Sequence, residues 1–286
     1  MQTFTFPGRD GVEITAYRWS PTGAPRGLVQ LTHGMGEHLR RYTPLAEELL
    51  ARGFVVQGQD HRGHGATARG GTQGALPGGW AALVDDIGVL LELGRAAAPG
   101  VPVVLLGHSM GSFAAQQWIL DHSDAVDGLV LSGTAVLDLL EPALDLSGPM
   151  DLSSFNSPFA QRTGYEWLSR DAAQVDLYVD DPDCGFGLDG AATREMFAGA
   201  RALADPARVA DIRADLPVLI TVGSADPVNG GLALLTPLVD RLAHAGLEDV
   251  TVSIWPDARH EVFNETNRTE VVADLVSWLD RVVPGV

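Results

Sequence analysis

A chain of 286 residues, 45% hydrophobic, suits one large α/β domain with an insertion, or two small domains, and its core needs no disulfide or metal staple. The formal net charge of -18 excludes a nucleic-acid partner, which would require a basic face, and disfavours docking on anionic membranes. All 19 basic residues are arginine, so Schiff-base lysine chemistry, pyridoxal phosphate attachment and P-loop nucleotide binding are excluded as well.

Met1 to Gly8 has neither a basic region nor a long apolar core and is not expected to be a signal peptide. No apolar run approaches the ~20 residues of a membrane span, so no stable membrane insertion is expected. Cys184, the single cysteine, cannot form an internal disulfide and suits a reducing, cytoplasmic setting. The sequence sets no oligomeric state.

Thr3 to Phe6 and Val12 to Trp19 read as an antiparallel pair joined by Gly8-Arg9-Asp10-Gly11. Gly27 to Leu31 is the next strand, and Tyr42 to Arg52 a helix stopped by Gly53. Phe54 to Gly58 reads as a strand and Trp80 to Ala98 as a long amphipathic helix. Val103 to Leu106 is a buried strand, Ala114 to Leu120 a helix, and Val126 to Ser132 another strand. From Thr134 to about Ala210 proline, aspartate and serine rise and no apolar strand appears. Apolar and aromatic residues still recur there, which marks an inserted cap and not a linker. Leu216 to Val222 resumes the strand pattern, then Leu232 to Ala245 a helix, Val250 to Trp255 a strand and Glu265 to Val282 a last helix. This alternation predicts an α/β class with a mostly parallel, doubly wound sheet. The core is 1–133 with 211–286, and the mainly helical cap is 134–210.

The most informative stretch is Gly107-His108-Ser109-Met110-Gly111, between the Val103 strand and the helix that follows. A serine on so sharp a strand-to-helix turn is lifted into a cleft. Small residues two positions to either side let strand and helix approach. Strand before and helix after make this the nucleophile elbow of α/β-hydrolases.

A serine hydroxyl needs a base, and the base an orienting acid. In this fold the acid and then the histidine follow the serine in the chain, at the carboxyl ends of strands. Asp226 lies just beyond the Leu216 strand. Of the three histidines after Ser109, His122 closes the elbow helix and His244 lies within a helix. His260 alone stands at a strand's carboxyl end. The catalytic triad is therefore Ser109, Asp226 and His260.

The oxyanion hole should use the N–H of Met110 and one from His33-Gly34-Met35-Gly36, with Met35 the first choice and Gly34 the next. Asp60, His61 and His64 could ligate a metal, but no fourth ligand is apparent nearby. A structural loop with Arg62 in ion pairs is the stronger reading. No metal or cofactor is expected.

Several motifs together are similar to one group. His33-Gly34-Met35-Gly36-Glu37-His38 with Arg41-Tyr42, Asp60-His61-Arg62-Gly63-His64-Gly65 and the elbow resemble the monoacylglycerol lipase and lysophospholipase group of α/β-hydrolases, also described as serine aminopeptidase-like. Trp167-Leu168-Ser169-Arg170-Asp171, Asp181-Pro182-Asp183-Cys184-Gly185-Phe186 and His260 to Arg268 look like the bacterial lysophospholipases of that group. The resemblance implies the same triad and oxyanion donors. Ser112 departs from it, standing where the group usually has a second glycine.

The expected activity is hydrolysis of a small-molecule ester with a hydrophobic acyl group, of the monoacylglycerol or lysophospholipid type. Gly34 and the cap residues Leu139, Leu140, Phe159 and Trp167 are expected to bind substrate. One alternative is amide or peptide cleavage by the same triad, with Glu37 or a cap acid receiving the substrate amine. Another is a hydrolase fold kept as a non-catalytic ligand receptor. Epoxide hydrolysis and dehalogenation are disfavoured, because they want a carboxylate where Ser109 stands.

Overall fold

The structure is a computed structural model that describes residues 1–146 and 148–284. Residue 147 of the expected cap and the last two residues of the expected core lie outside the described residues.

The chain alternates strands and helices over most of its length. Its strands are β1 (Gln2–Pro7), β2 (Glu13–Trp19), β3 (Gly27–Thr32), β4 (Phe54–Gln59), β5 (Val103–His108), β6 (Gly128–Ser132), β7 (Val218–Gly223) and β8 (Val250–Trp255). They form one sheet in the order β1-β2-β4-β3-β5-β6-β7-β8. β1 and β2 are an antiparallel hairpin and β2 joins β4 antiparallel, whereas β4 through β8 pair in parallel.

The helices are α1 (Thr43–Leu50), α2 (Gly79–Ala97), α3 (Met110–His122), α4 (Leu137–Leu140), α5 (Ala172–Val179), α6 (Gly190–Ala200), α7 (Pro206–Val209), α8 (Leu235–His244) and α9 (Arg268–Val282). Those between β6 and β7, α4 to α7, occupy the expected cap, which holds no strand among its described residues. The expected helix from Leu232 begins at Leu235 instead, because Gly230, Gly231 and Leu232 all carry positive φ. The last helix begins at Arg268 and not at Glu265. The buried Glu265 carboxylate accepts the backbone N–H groups of Arg170 and Arg259, which holds it in a loop.

Side chains on the central strands alternate between two faces, as a pleated strand requires. Val103, Leu105, Leu129, Leu131, Val218 and Ile220 pack on one side with α2, α3, α8 and the apolar part of the cap. Val104, Leu106, Val130 and Leu219 pack on the other with α1 and α9. Strands covered on both faces must be apolar throughout, which is why β5 reads as an unbroken run.

The order β4-β3-β5 locates the site. The chain leaves β3 outward to β4, then returns across it to β5. Ligands in open α/β sheets bind at such a reversal, beyond the carboxyl ends of the strands. Thr32 of β3 pairs with Gly107 of β5, so the His33 loop and the Ser109 turn leave the sheet side by side.

Candidate active site

Ser109 sits between β5 and α3 with φ 51° and ψ -122°. That backbone is costly for a residue with a side chain and is held by its surroundings. The Ser109 N–H donates to Ser132 O at 2.9 Å, while its carbonyl accepts from Ser112 N at 2.8 Å and Phe113 N at 3.1 Å. The small flanking residues are a steric requirement. A Cβ on Gly107 would stand 2.6 Å from Gly111 O, and one on Gly111 would stand 2.2 Å from Thr32 O. The Ser112 hydroxyl donates to Ser109 O at 2.6 Å and accepts from the Thr134 hydroxyl at 2.9 Å. It thus braces the elbow from behind, at the carbonyl and not at Oγ.

His260, in the loop after β8, donates from Nδ1 to Asp226 Oδ2 at 2.9 Å. A carboxylate can only accept, so the proton lies on Nδ1 and the Nε2 lone pair is left to act as a base. Asp226, fully buried beyond β7, also accepts from Val228 N at 2.8 Å. Burial is the largest single influence on the His260 pKa and lowers it. The charge and hydrogen bond of Asp226, with Glu261 and Glu37 behind, outweigh burial and hold it above 6.5. His108, whose ring lies 4.8 Å from that of His260, is driven the other way to about 4 by burial and by His260. It stays neutral beside the base.

Glu37 distinguishes the two expected oxyanion donors by bonding one of them. Its Oε1 accepts the Gly34 N–H at 2.6 Å and the Tyr42 hydroxyl at 2.8 Å. The Gly34 donor is therefore occupied, and Met35 is left as the amide of that loop. Arg41 binds Glu37 Oε2 at 2.5 Å and grips both oxygens of Glu261 at 2.6 and 2.7 Å. The oxyanion loop and the residue after His260 are thereby locked through one guanidinium. Sequence reading missed this network, although Glu37 and Arg41 stand at helical i,i+4 spacing.

Ser109 and His260 open into one cleft of about 550 Å³ of atom-free space, with Gly34, Met35 and Met110 in its wall. The cap supplies most of the apolar lining, including Leu137, Leu140, Met150, Trp167, Leu168 and Phe197. Two of the expected pocket residues do not line it. Leu139 is 46% exposed, because Leu137 and Leu140 share the inward face of the one-turn α4 and Leu139 falls on the other. Phe159 packs instead against the Arg259 guanidinium, 4.5 Å from its ring centroid.

The Asp60 loop is structural. Asp60 accepts from Leu39 N, Ala66 N and Tyr17 OH, and Arg62 pairs with both Asp86 and Asp10. Burial pushes His61 down to about 3 and His64 to about 4. Among the described residues the one cluster with metal-ligating geometry lies elsewhere, at His38, Asp181 and Cys184, with ligand atoms within 4.8 Å of one another. His38 Nε2 is already bonded to Asp181 at 2.9 Å, and the positive fields of Arg41 and Arg40 reach Cys184 and Asp181, which disfavours a cation there.

A mostly parallel sheet, a strained serine at a strand-to-helix turn and a neighbouring Asp–His pair define an α/β-hydrolase. The chain belongs to the family described as Serine aminopeptidase, S33, whose model matches residues 23–267. It is 32% identical over 281 residues to the monoacylglycerol lipase of Mycolicibacterium smegmatis, covering 96% of this chain and 95% of that one. It is 31% identical over 278 residues to the human monoglyceride lipase, covering 90% and 82%. A thermostable carboxyl esterase from Bacillus coagulans superposes with a TM-score of 0.86 at 26% identity, over 99% of this chain and 98% of that one. The protein is a carboxylic-ester hydrolase. Among the described residues no helix is long and apolar enough to cross a membrane.

Proposed function

We propose that the protein cleaves monoacylglycerols through an acyl-enzyme on Ser109, with 134–210 as the cap that receives the acyl chain. The observation that carries this is the Asp226–His260 hydrogen bond, placed so that His260 shares with Ser109 an apolar cleft. His260 Nε2 takes the Ser109 proton as Oγ attacks the ester carbonyl. The Met35 and Met110 amides hold the oxyanion, each worth about 3 kcal/mol at the transition state. His260 then protonates the leaving alcohol, and water repeats the sequence on the acyl-enzyme. Asp226 fixes the tautomer and stabilises the imidazolium.

The charges at the cleft favour a neutral alcohol over a phosphate-bearing one. Its charged lining residues are Glu37 and Glu261, with no arginine among the described lining. The Arg41 guanidinium behind them is consumed by both. The same pairing weakens the peptide-cleaving reading, because Glu37 has no free charge to offer a substrate amine. A reducing, cytoplasmic setting remains our reading of the single cysteine.

The test is a chain-length series of monoacylglycerols and lysophosphatidylcholines, run beside aminoacyl-naphthylamides, with fluorophosphonate labelling of the protein and of Ser109→Ala. The expected result is turnover of monoacylglycerols above the other classes, and labelling that depends on Ser109. Equal rates on neutral and phosphate-bearing esters, or amide cleavage in their place, would remove the substrate assignment. Labelling retained in Ser109→Ala would remove the nucleophile.

A further inference from the structure

Two indoles in this protein donate to a side-chain acceptor. Trp80 Nε1 donates to Gln117 Oε1 at 2.7 Å and Trp255 Nε1 to Thr221 Oγ1 at 2.9 Å. Trp167 Nε1 is buried with no partner, although Trp167 is only 3% exposed. Trp278 shares that state, but it belongs to the α9 packing and is not in the lining of this cleft, whereas Trp167 stands in the cleft wall with Ser109 and His260. An unpaired buried donor costs free energy that a ligand oxygen can recover.

The position of Trp167 is firmly set. Its backbone N–H donates to Asn156 Oδ1 at 2.9 Å, its carbonyl accepts from His260 N at 3.3 Å, and the next carbonyl, of Leu168, accepts from Glu261 N at 2.8 Å. Its ring lies 4.9 Å from the imidazole of His260. The indole is therefore a direct neighbour of the base that would protonate the leaving alcohol. The acyl chain has no acceptor to offer, and the carbonyl oxygen is directed to the Met35 and Met110 amides. The acceptors left on the substrate are the oxygens of its alcohol.

We propose that the Trp167 indole N–H donates a hydrogen bond to an oxygen of the alcohol portion of the substrate, and so selects esters of a polyhydroxylated alcohol over plain alkyl esters of the same acyl chain. This rests on the reading of Ser109 and His260 given above. Trp167→Phe keeps an aromatic ring and deletes the donor. The readout is the ratio of kcat/KM for a glyceryl ester to that for the methyl ester of the same fatty acid. The ratio is expected to fall about fivefold in the variant, the loss of one hydrogen bond. A ratio within error of the parent's, whatever happens to the absolute rates, overturns the proposal. Should the variant not fold, inhibition of the parent protein decides. A 1-O-alkylglycerol ether, which cannot be hydrolysed, should inhibit more tightly than the methyl ether of the same alkyl chain, and equal inhibition overturns the proposal. Ester turnover that survives Ser109→Ala breaks the underlying mechanism, whereas an unchanged ratio in an enzyme dependent on Ser109 breaks only the assignment of Trp167.

Discussion

The elbow and the expected cap, which starts at Thr134, are built on different terms. Around Ser109 the backbone does most of the work. Gly107 and Gly111 are held by contacts with main-chain atoms, and Ser109 is fastened through its own N–H and carbonyl. The cap has short helices, two of them four residues long, and its inward surface is defined by side chains such as Leu140, Met150 and Phe197. One strip of the cap breaks this pattern. Residues 166–170 are stitched to the histidine loop, with Arg259 donating to Glu166 O and Ser169 O, Arg170 paired to Glu265, and the Trp167 and Leu168 carbonyls bonded to His260 and Glu261. In the proposed reading, reaction chemistry rests on the elbow's backbone and acyl selection on replaceable side chains, with the 166–170 strip tying the two together.

That division is broken most severely at the nucleophile. Ser109→Ala should lower ester turnover by at least about 10⁴-fold while the thermal midpoint stays close to the parent's. Turnover of a short-chain nitrophenyl ester near the parental rate would show that the strained serine is only a turn residue. Asp226→Asn should follow, with a loss of about 10³- to 10⁴-fold, because the amide favours the wrong tautomer of His260. It carries a second signature. His260 must be neutral to act as a base, and its pKa is raised above 6.5. In the parent protein the acid limb of kcat/KM should therefore have its midpoint above 6.5. Removing Asp226 leaves burial to pull the pKa down, so the residual activity should persist to lower pH. A midpoint that fails to move would mean that another group controls the limb.

The proposed triad was legible in the sequence as a set of positions along the chain. Ser109, Asp226 and His260 stand just beyond the carboxyl ends of β5, β7 and β8; β5 and β7 are buried throughout, and β8 shows the alternation of a half-exposed strand. The proposed oxyanion pair was legible only in part. Choosing Met35 over Gly34 depends on a carboxylate oxygen 2.6 Å from one of the two amides, which no spacing rule supplies. In the cap the limit is helix length. A helix of four residues gives no period to read, so Leu139 and Leu137 look equivalent until the turn is built. Glu265 has the composition of a helix start, and what removes it from the helix is a set of partners from the cap and the preceding loop, Arg170 and Arg259.

The cap side of the comparison is sharpened by Leu140→Ala. Leu140 is buried and lines the cleft, so truncation deepens the acyl pocket by a few methylene groups. Each methylene's worth of complementarity in an apolar pocket is about 1–3 kcal/mol, which predicts roughly a tenfold shift in kcat/KM toward longer acyl chains. Measured across a chain-length series, a uniform loss at every length would instead mark Leu140 as a support for the catalytic loops.

The smallest effect expected lies at the boundary of the two regions. Ser112→Gly removes a hydroxyl that links the Ser109 carbonyl to Thr134, the first residue of the expected cap. Neither bond touches Ser109 Oγ, and the same carbonyl keeps its bonds from Ser112 N and Phe113 N. Turnover should therefore stay within about threefold of the parent. Stability should fall by about 1–3 kcal/mol, from two lost hydrogen bonds and a glycine inside α3. Thermal unfolding and nitrophenyl-ester rates on the same preparation separate the two quantities. A rate loss beyond about a hundredfold with stability unchanged would mean that the elbow's geometry depends on a side chain after all. The backbone alone would then not explain why Ser109 is held at φ 51°.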